Sequence, residues 1–194
     1  MRMNIYFLRH GKTVSAGTYT GSTDVSLSAD GIDQIVSISL YLREIEFDFV
    51  FCSTLGRCRK SFELLDIPVQ CSFDAALKEI NFGRWEQRSF NDIYREDQKN
   101  MERWFQLKEK FTFPEGDNIL EFSTRIKDWF EKLKIEGYKS VLIVSHAGVI
   151  KHAVTHLLGL HINQADQFEI REGHVSLLSI DDDFTVLKFL NKNG

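Results

Sequence analysis

Two short apolar runs set the register of this chain. Ile5-Tyr6-Phe7-Leu8 and Val141-Leu142-Ile143-Val144 are continuous rather than alternating, the pattern of strands covered on both faces. Each stops abruptly at polar residues, Arg9-His10-Gly11 after the first and Ser145-His146-Ala147-Gly148 after the second. Between them the period changes to that of helices. Ser28 is placed to cap a helix running to about Glu44, with Ile35, Ile38, Leu42 and Ile45 at helical spacing. Asp48 to Cys52 predicts a second strand, and Ser53 a cap for a helix with Leu55, Cys58, Phe62 and Leu65 on one face and Arg57 in its first turn, off that face. A short strand follows over 69–73, then a charged, aromatic loop over 77–86.

The second half reads the same way. A helix starts near Ser89 with Phe90, Ile93, Tyr94, Met101, Trp104 and Phe105 as core positions, and Phe113-Pro114-Glu115-Gly116 breaks the chain. Asn118 with Glu121 resembles a capping box opening a helix on Ile119, Phe122, Ile126, Trp129 and Leu133, which ends at Gly137. A helix from the 145–148 turn to Leu158 is stopped by Gly159, and strands over 175–180 and 184–190 form an antiparallel pair about Asp181-Asp182-Asp183. Alternating strands and helices predict a three-layer α/β/α architecture, its central sheet mostly parallel with an antiparallel edge and right-handed crossovers.

Composition narrows the class. With 194 residues and 43% hydrophobic content, one sizeable core is affordable and two domains are not, so residues 1–194 read as a single domain. A net charge of -4 without a basic tail argues against nucleic acid or a membrane surface as partner. Cys52, Cys58 and Cys71 are odd in number and form no Cys-x-x-Cys, which suits reduced thiols in a cytoplasmic protein. Met1-Arg2-Met3 leads straight into the first strand, leaving no room for a signal peptide. Monomer and homodimer both stay open.

In open α/β sheets ligands bind at the carboxyl ends of the strands, where His10 and His146 are delivered. The Ser/Thr/Gly-rich loop over 15–24 lies across those ends, and Thr13 adds a hydroxyl just beyond Gly11. Arg9 and Arg57 each offer a planar fork of donors suited to phosphate oxygens. A neutral His10 is a candidate nucleophile toward phosphorus, and His146 a donor to the phosphoryl oxygens. Glu79, in an apolar and aromatic loop, is a candidate acid for the leaving group. None of these roles requires a metal or other cofactor.

Leu8-Arg9-His10-Gly11 with Thr13, Ser53-x-Leu55-x-Arg57, Glu79 with Phe82-Gly83-x-Trp85-Glu86, and Ser145-His146-Ala147-Gly148 together resemble the histidine phosphatase superfamily, in its phosphoglycerate mutase-like branch. The resemblance implies a phosphohistidine at His10, phosphoryl binding by Arg9, Arg57 and His146, proton donation by Glu79, and substrate contact through Thr20-Gly21. It also implies a small phosphorylated metabolite as partner. Two positions depart from the family pattern: Ala16 replaces an asparagine, and Glu115-Gly116-Asp117-Asn118 stands for Gly-Gly-Glu-Ser. Apolar Ile80-Asn81-Phe82 after the acid favours a phosphatase over a mutase, with a non-catalytic phospho-ligand binder as the reading from another class. Phe82 and Trp85 serve either as stacking surfaces for the substrate or as core.

His152 and His156, four apart on a helix, lack a third ligand and read as surface or packing histidines, as do His161 and His174. The triplet Asp181 to Asp183 reads as a solvated turn, without the remaining ligands of a calcium loop.

Overall fold

The computed structural model describes residues 2–182 and 184–194; Met1, before the first strand, and Asp183, in the acidic turn, lie outside the described residues. Strands β1 (Arg2–Arg9), β2 (Phe49–Ser53), β3 (Cys71–Asp74), β4 (Ser140–Ser145), β5 (Val175–Asp181) and β6 (Phe184–Lys192) form one sheet in the order β3-β2-β4-β1-β5-β6. β1 to β4 run parallel, β5 runs antiparallel to β1, and β6 pairs antiparallel with β5. The expected mixed sheet is present, with its reversed strand one place in from the edge.

Helices cover both faces, which is why β1 and β4 carry no polar alternation. Ile5, Phe7, Val141 and Ile143 pack against α5 (Ile119–Ile135) and α6 (Ala147–Leu157). Tyr6, Leu8, Leu142 and Val144 pack against α1 (Ala29–Leu42) and α2 (Gly56–Leu65) on the other side. Side chains alternate across a pleat, so successive residues of one apolar run feed two separate cores.

Local chemistry moved several boundaries. α1 stops at Leu42, leaving Ile45 outside it. Ser53 caps nothing by helical geometry; Leu55 is the N-cap residue of α2, without a side-chain bond, and Asp24 Oδ1 and Oδ2 accept from the Gly56 amide at 3.0 and 2.9 Å. β3 begins at Cys71, two residues later than the predicted strand. One short 3₁₀ turn, Ala75–Leu77, leads into the loop over 77–86, and a second, Gly83–Trp85, lies within it. The helix after Ser89 is two helices, α3 (Phe90–Glu96) and α4 (Gln98–Leu107). Asp97 breaks it: its φ of -137° and ψ of 39° are non-helical, and its carboxylate accepts from Trp85 Nε1 at 2.8 Å and Asn100 Nδ2 at 2.8 Å. Each of these short helices buries only a narrow face, at Ile93 and Met101, so Phe90, Tyr94 and Phe105 are exposed to solvent, contrary to their expected core role.

Candidate active site

Parallel pairing brings the two histidines together. Leu8 faces Val144 and Arg9 faces Ser145 across β1 and β4, so His10 and His146 emerge side by side, ring centroids 5.1 Å apart. Arg57, from the first turn of α2, lies between them: its Nε donates to His10 Nε2 at 3.3 Å and to His146 Nδ1 at 3.2 Å. All three side chains are buried. Arg57 thus points to the site from the buried side of α2, alongside Cys58 and Ser61.

Hydrogen bonding assigns the tautomers. His10 Nδ1 is 2.8 Å from the Gly11 carbonyl, which only an N–H satisfies, leaving the Nε2 lone pair free toward Arg57. His146 accepts at Nδ1 and meets the Ser53 hydroxyl at Nε2, 2.8 Å away. Burial, then the charges of Arg9 and Arg57, hold the His10 imidazolium well below its ordinary range. Burial, then Arg57, does the same for His146. Both rings are therefore neutral at neutral pH, the state a nucleophile at Nε2 needs.

Arg9 enters from the other side. Its Nη1 donates to the Ile170 carbonyl at 2.8 Å and its Nη2 to Glu172 at 3.2 Å, while its buried Nε has no partner among the described residues. Burial lowers its pKa, with Glu172 and Glu79 opposing.

Glu79 sits over the start of α6. Its Oε2 accepts from the Gly148 amide at 2.9 Å and its Oε1 from the Ile80 amide at 3.0 Å. A Cβ at residue 148 would stand 2.3 Å from Glu79 Oε1, so the glycine is what lets the carboxylate reach the helix. The departures at 115–118 turn out to brace this loop: Asp117 Oδ2 accepts from the Asn81 amide at 3.0 Å, and Asn118 caps α5. Ala16 lies in an exposed turn, its amide on the Thr13 carbonyl at 3.3 Å.

The loop over the strand ends is organised by a residue to which the sequence attached no role. Glu86 Oε1 accepts from the amides of Ser22 and Phe82 at 3.0 and 2.9 Å, and its Oε2 from Gly21 and Thr23 at 3.1 and 3.2 Å. The carbonyls thereby presented hold Arg57, Gly21 O taking Nη2 at 2.6 Å and Thr23 O taking Nη1 at 2.9 Å. Three successive amides turned to one carboxylate make an anion nest that no side-chain motif reveals. Asp24 was equally silent, and its carboxylate occupies the Gly56 amide at the start of α2.

The remaining expected residues divide. Gly21 joins the site through Arg57, whereas Thr20 bonds the Thr18 hydroxyl at 2.9 Å and Thr13 is buried beside its bridge to Leu27. Phe82 lines a hollow of about 250 Å³ that opens beside Glu79, with Tyr19, Trp104, Phe113, Phe122 and His152 around it. Trp85 is fully enclosed between Phe111, Phe113 and Trp104, so its ring is core and not a stacking surface. His156 faces Glu131 at 2.6 Å, and no metal-ligating group is assembled among the described residues.

Among the described residues no helix is long and apolar enough to cross a membrane. Among solved structures, the alpha-ribazole phosphatase of Shigella flexneri superposes with a TM-score of 0.90 at 30% identity, covering 98% of this chain and 96% of that one. A phosphoserine phosphatase from Entamoeba histolytica, solved with 3-phosphoglyceric acid, shares the fold at 22% identity, with a TM-score of 0.85 over 98% and 97% of the two chains. The adenosylcobalamin/alpha-ribazole phosphatase of Escherichia coli K12 is 30% identical over 199 residues, spanning 99% of this chain and 97% of its own. The model of the histidine phosphatase superfamily (branch 1) matches residues 5–193, and with that match the chain belongs to this superfamily.

Proposed function

We propose that this chain, acting as a single domain, is a phosphomonoesterase that works through a phosphohistidine at His10, with alpha-ribazole 5'-phosphate as its substrate in assembly of the cobalamin nucleotide loop. The observation that carries it is the convergence of His10 Nε2 and His146 Nδ1 on one Arg57 Nε. The likeness to the alpha-ribazole phosphatases extends over nearly the whole chain. Three free cysteines, two of them buried, suit a cytoplasmic site of action.

Unaided phosphate-monoester hydrolysis is so slow that enzymes accelerate it by up to roughly 10²¹-fold, mostly through positioning and charge. His10 Nε2 attacks phosphorus in line; the N–P bond forms as the ester P–O bond breaks, and the leaving oxygen takes the proton of the Glu79 carboxyl. Arg57 and Arg9, the latter through its unpartnered Nε, stabilise the equatorial oxygens, and His146 joins them from Nδ1 in the tautomer protonated there, the Ser53 hydroxyl then donating to its Nε2. Water then attacks phosphorus, the P–N bond breaks, Glu79 takes the water proton, and inorganic phosphate leaves with His10 neutral again.

A panel of phosphate esters assayed with and without chelator, ranked by kcat/KM, tests this reading. Chelator-insensitive release with alpha-ribazole 5'-phosphate ranked highest is the expected result. Release from no ester would leave a phospho-ligand binder, and transfer between two positions of one sugar acid would make the chain a mutase.

A further inference from the structure

His152 read as a packing residue in the sequence, yet it stands in the wall of the hollow beside Glu79. Tyr19, Phe82, Trp104, Phe113 and Phe122 give the wall its rings, and Phe122 meets the His152 ring edge-on, centroids 5.2 Å apart at 88°. The nearby charges are matched to each other, Lys151 Nζ lying 3.0 Å from Asp166 Oδ1. His152 Nδ1 is buried without a partner, and among the described residues Nε2 makes no hydrogen bond to the chain. Burial pushes its pKa down to about 4, so the ring is neutral and carries one N–H. A buried N–H without a partner is rarer than a buried acceptor without one, which puts the proton on Nε2.

We propose that this hollow takes the leaving group of the ester as a planar aromatic heterocycle bearing a hydrogen-bond acceptor, and that His152 reads that acceptor through its Nε2–H. The inference rests on the phosphatase reading and adds to it the residue that selects the substrate. The helix sets the spacing. Gly148, whose amide holds Glu79, and His152 are four residues apart on α6, so the acceptor site lies one turn, roughly 6 Å along the axis, from the leaving-group acid. Ring faces and edges around the hollow accept a flat aromatic group by offset or edge-to-face packing, and a His152 N–H with no partner in the chain penalises a ring with no acceptor to offer it.

The test uses two esters that differ in one atom, benzimidazole riboside 5'-phosphate and its indole counterpart, in which a C–H replaces the acceptor nitrogen, with glycerol phosphate as a substrate too small to fill the hollow. Wild type should prefer the benzimidazole ester by roughly tenfold in kcat/KM, the size of one hydrogen bond between neutral partners, and the preference should appear in KM because the contact is the same in ground and transition states. In His152→Phe, which keeps the aromatic wall, the preference should vanish while kcat/KM on glycerol phosphate stays within about twofold of wild type. A wild-type preference near one, or a preference that survives in His152→Phe, overturns the role of His152 and leaves the phosphatase reading intact. If wild type releases phosphate from none of the three esters, the phosphatase reading fails and this inference falls with it.

Discussion

His10 and Glu79 each act on one bond of the ester, His10 at phosphorus and Glu79 at the leaving oxygen. Glu79→Gln keeps the acceptor for the Gly148 amide but has no proton to give, so kcat on an alkyl phosphate should fall about 10² to 10⁴-fold. On p-nitrophenyl phosphate, whose leaving group needs no proton, the loss should be far smaller. Equal losses on both esters would remove Glu79 from the acid role. His152 shows how unevenly residues betray themselves in sequence. His10, His146 and Arg57 were legible because strand ends and a helix start deliver them with a recognisable spacing. His152 was not, since only its neighbours in space distinguish a packing histidine from a donor in a hollow. Trp85 and Phe82 share a motif, and packing alone sends one to the core and the other to the hollow.

Among the elements, the junctions between helices and loops hold the site together. Gly148→Ala should leave α6 as stable or slightly more so, since alanine is favoured over glycine by up to about 1 kcal/mol inside a helix. Its Cβ would nevertheless stand 2.3 Å from Glu79 Oε1 and drive the carboxylate off the helix start, so kcat on alkyl phosphates should drop while the urea midpoint holds. An unchanged kcat would mean that this placement of Glu79 does not matter. Glu86→Ala removes the acceptor of four amides and frees the Gly21 and Thr23 carbonyls that grip Arg57. Misplacement of a catalytic group by about 1 Å costs on the order of 10²-fold in rate, and a loss of that size in kcat/KM is expected, with full activity as the contrary result. The strands and caps at Ser28, Ser89 and Asn118 were readable because they rest on neighbouring residues alone. The split of the Ser89 helix was not, because it depends on Asp97 reaching a tryptophan twelve residues away in the chain.

Across the whole molecule, three neutral histidines, His10 and His146 buried and His152 half-buried, couple stability to pH. His10, His146 and His152 all have folded-state pKa values below 6.5, so beneath that pH the unfolded chain binds protons that the folded chain refuses. The stabilisation is full above about pH 6.5 and is lost as pH falls, down to about 4 for His152. The urea midpoint should therefore decline between about pH 6.5 and 5, and less steeply in His152→Phe; a midpoint that stays flat would contradict the neutral burial of these rings. The fold was visible in the sequence as a strand and helix order, and the parallel pairing of β1 with β4 turns that order into chemistry. The central claim is the phosphohistidine, and rapid mixing with a radiolabelled phosphoester followed by an alkaline quench tests it most directly. Label should appear transiently on His10, be released by acid, and be absent from His10→Ala. Full labelling of His10→Ala, or turnover without label ever residing on the protein, would contradict it.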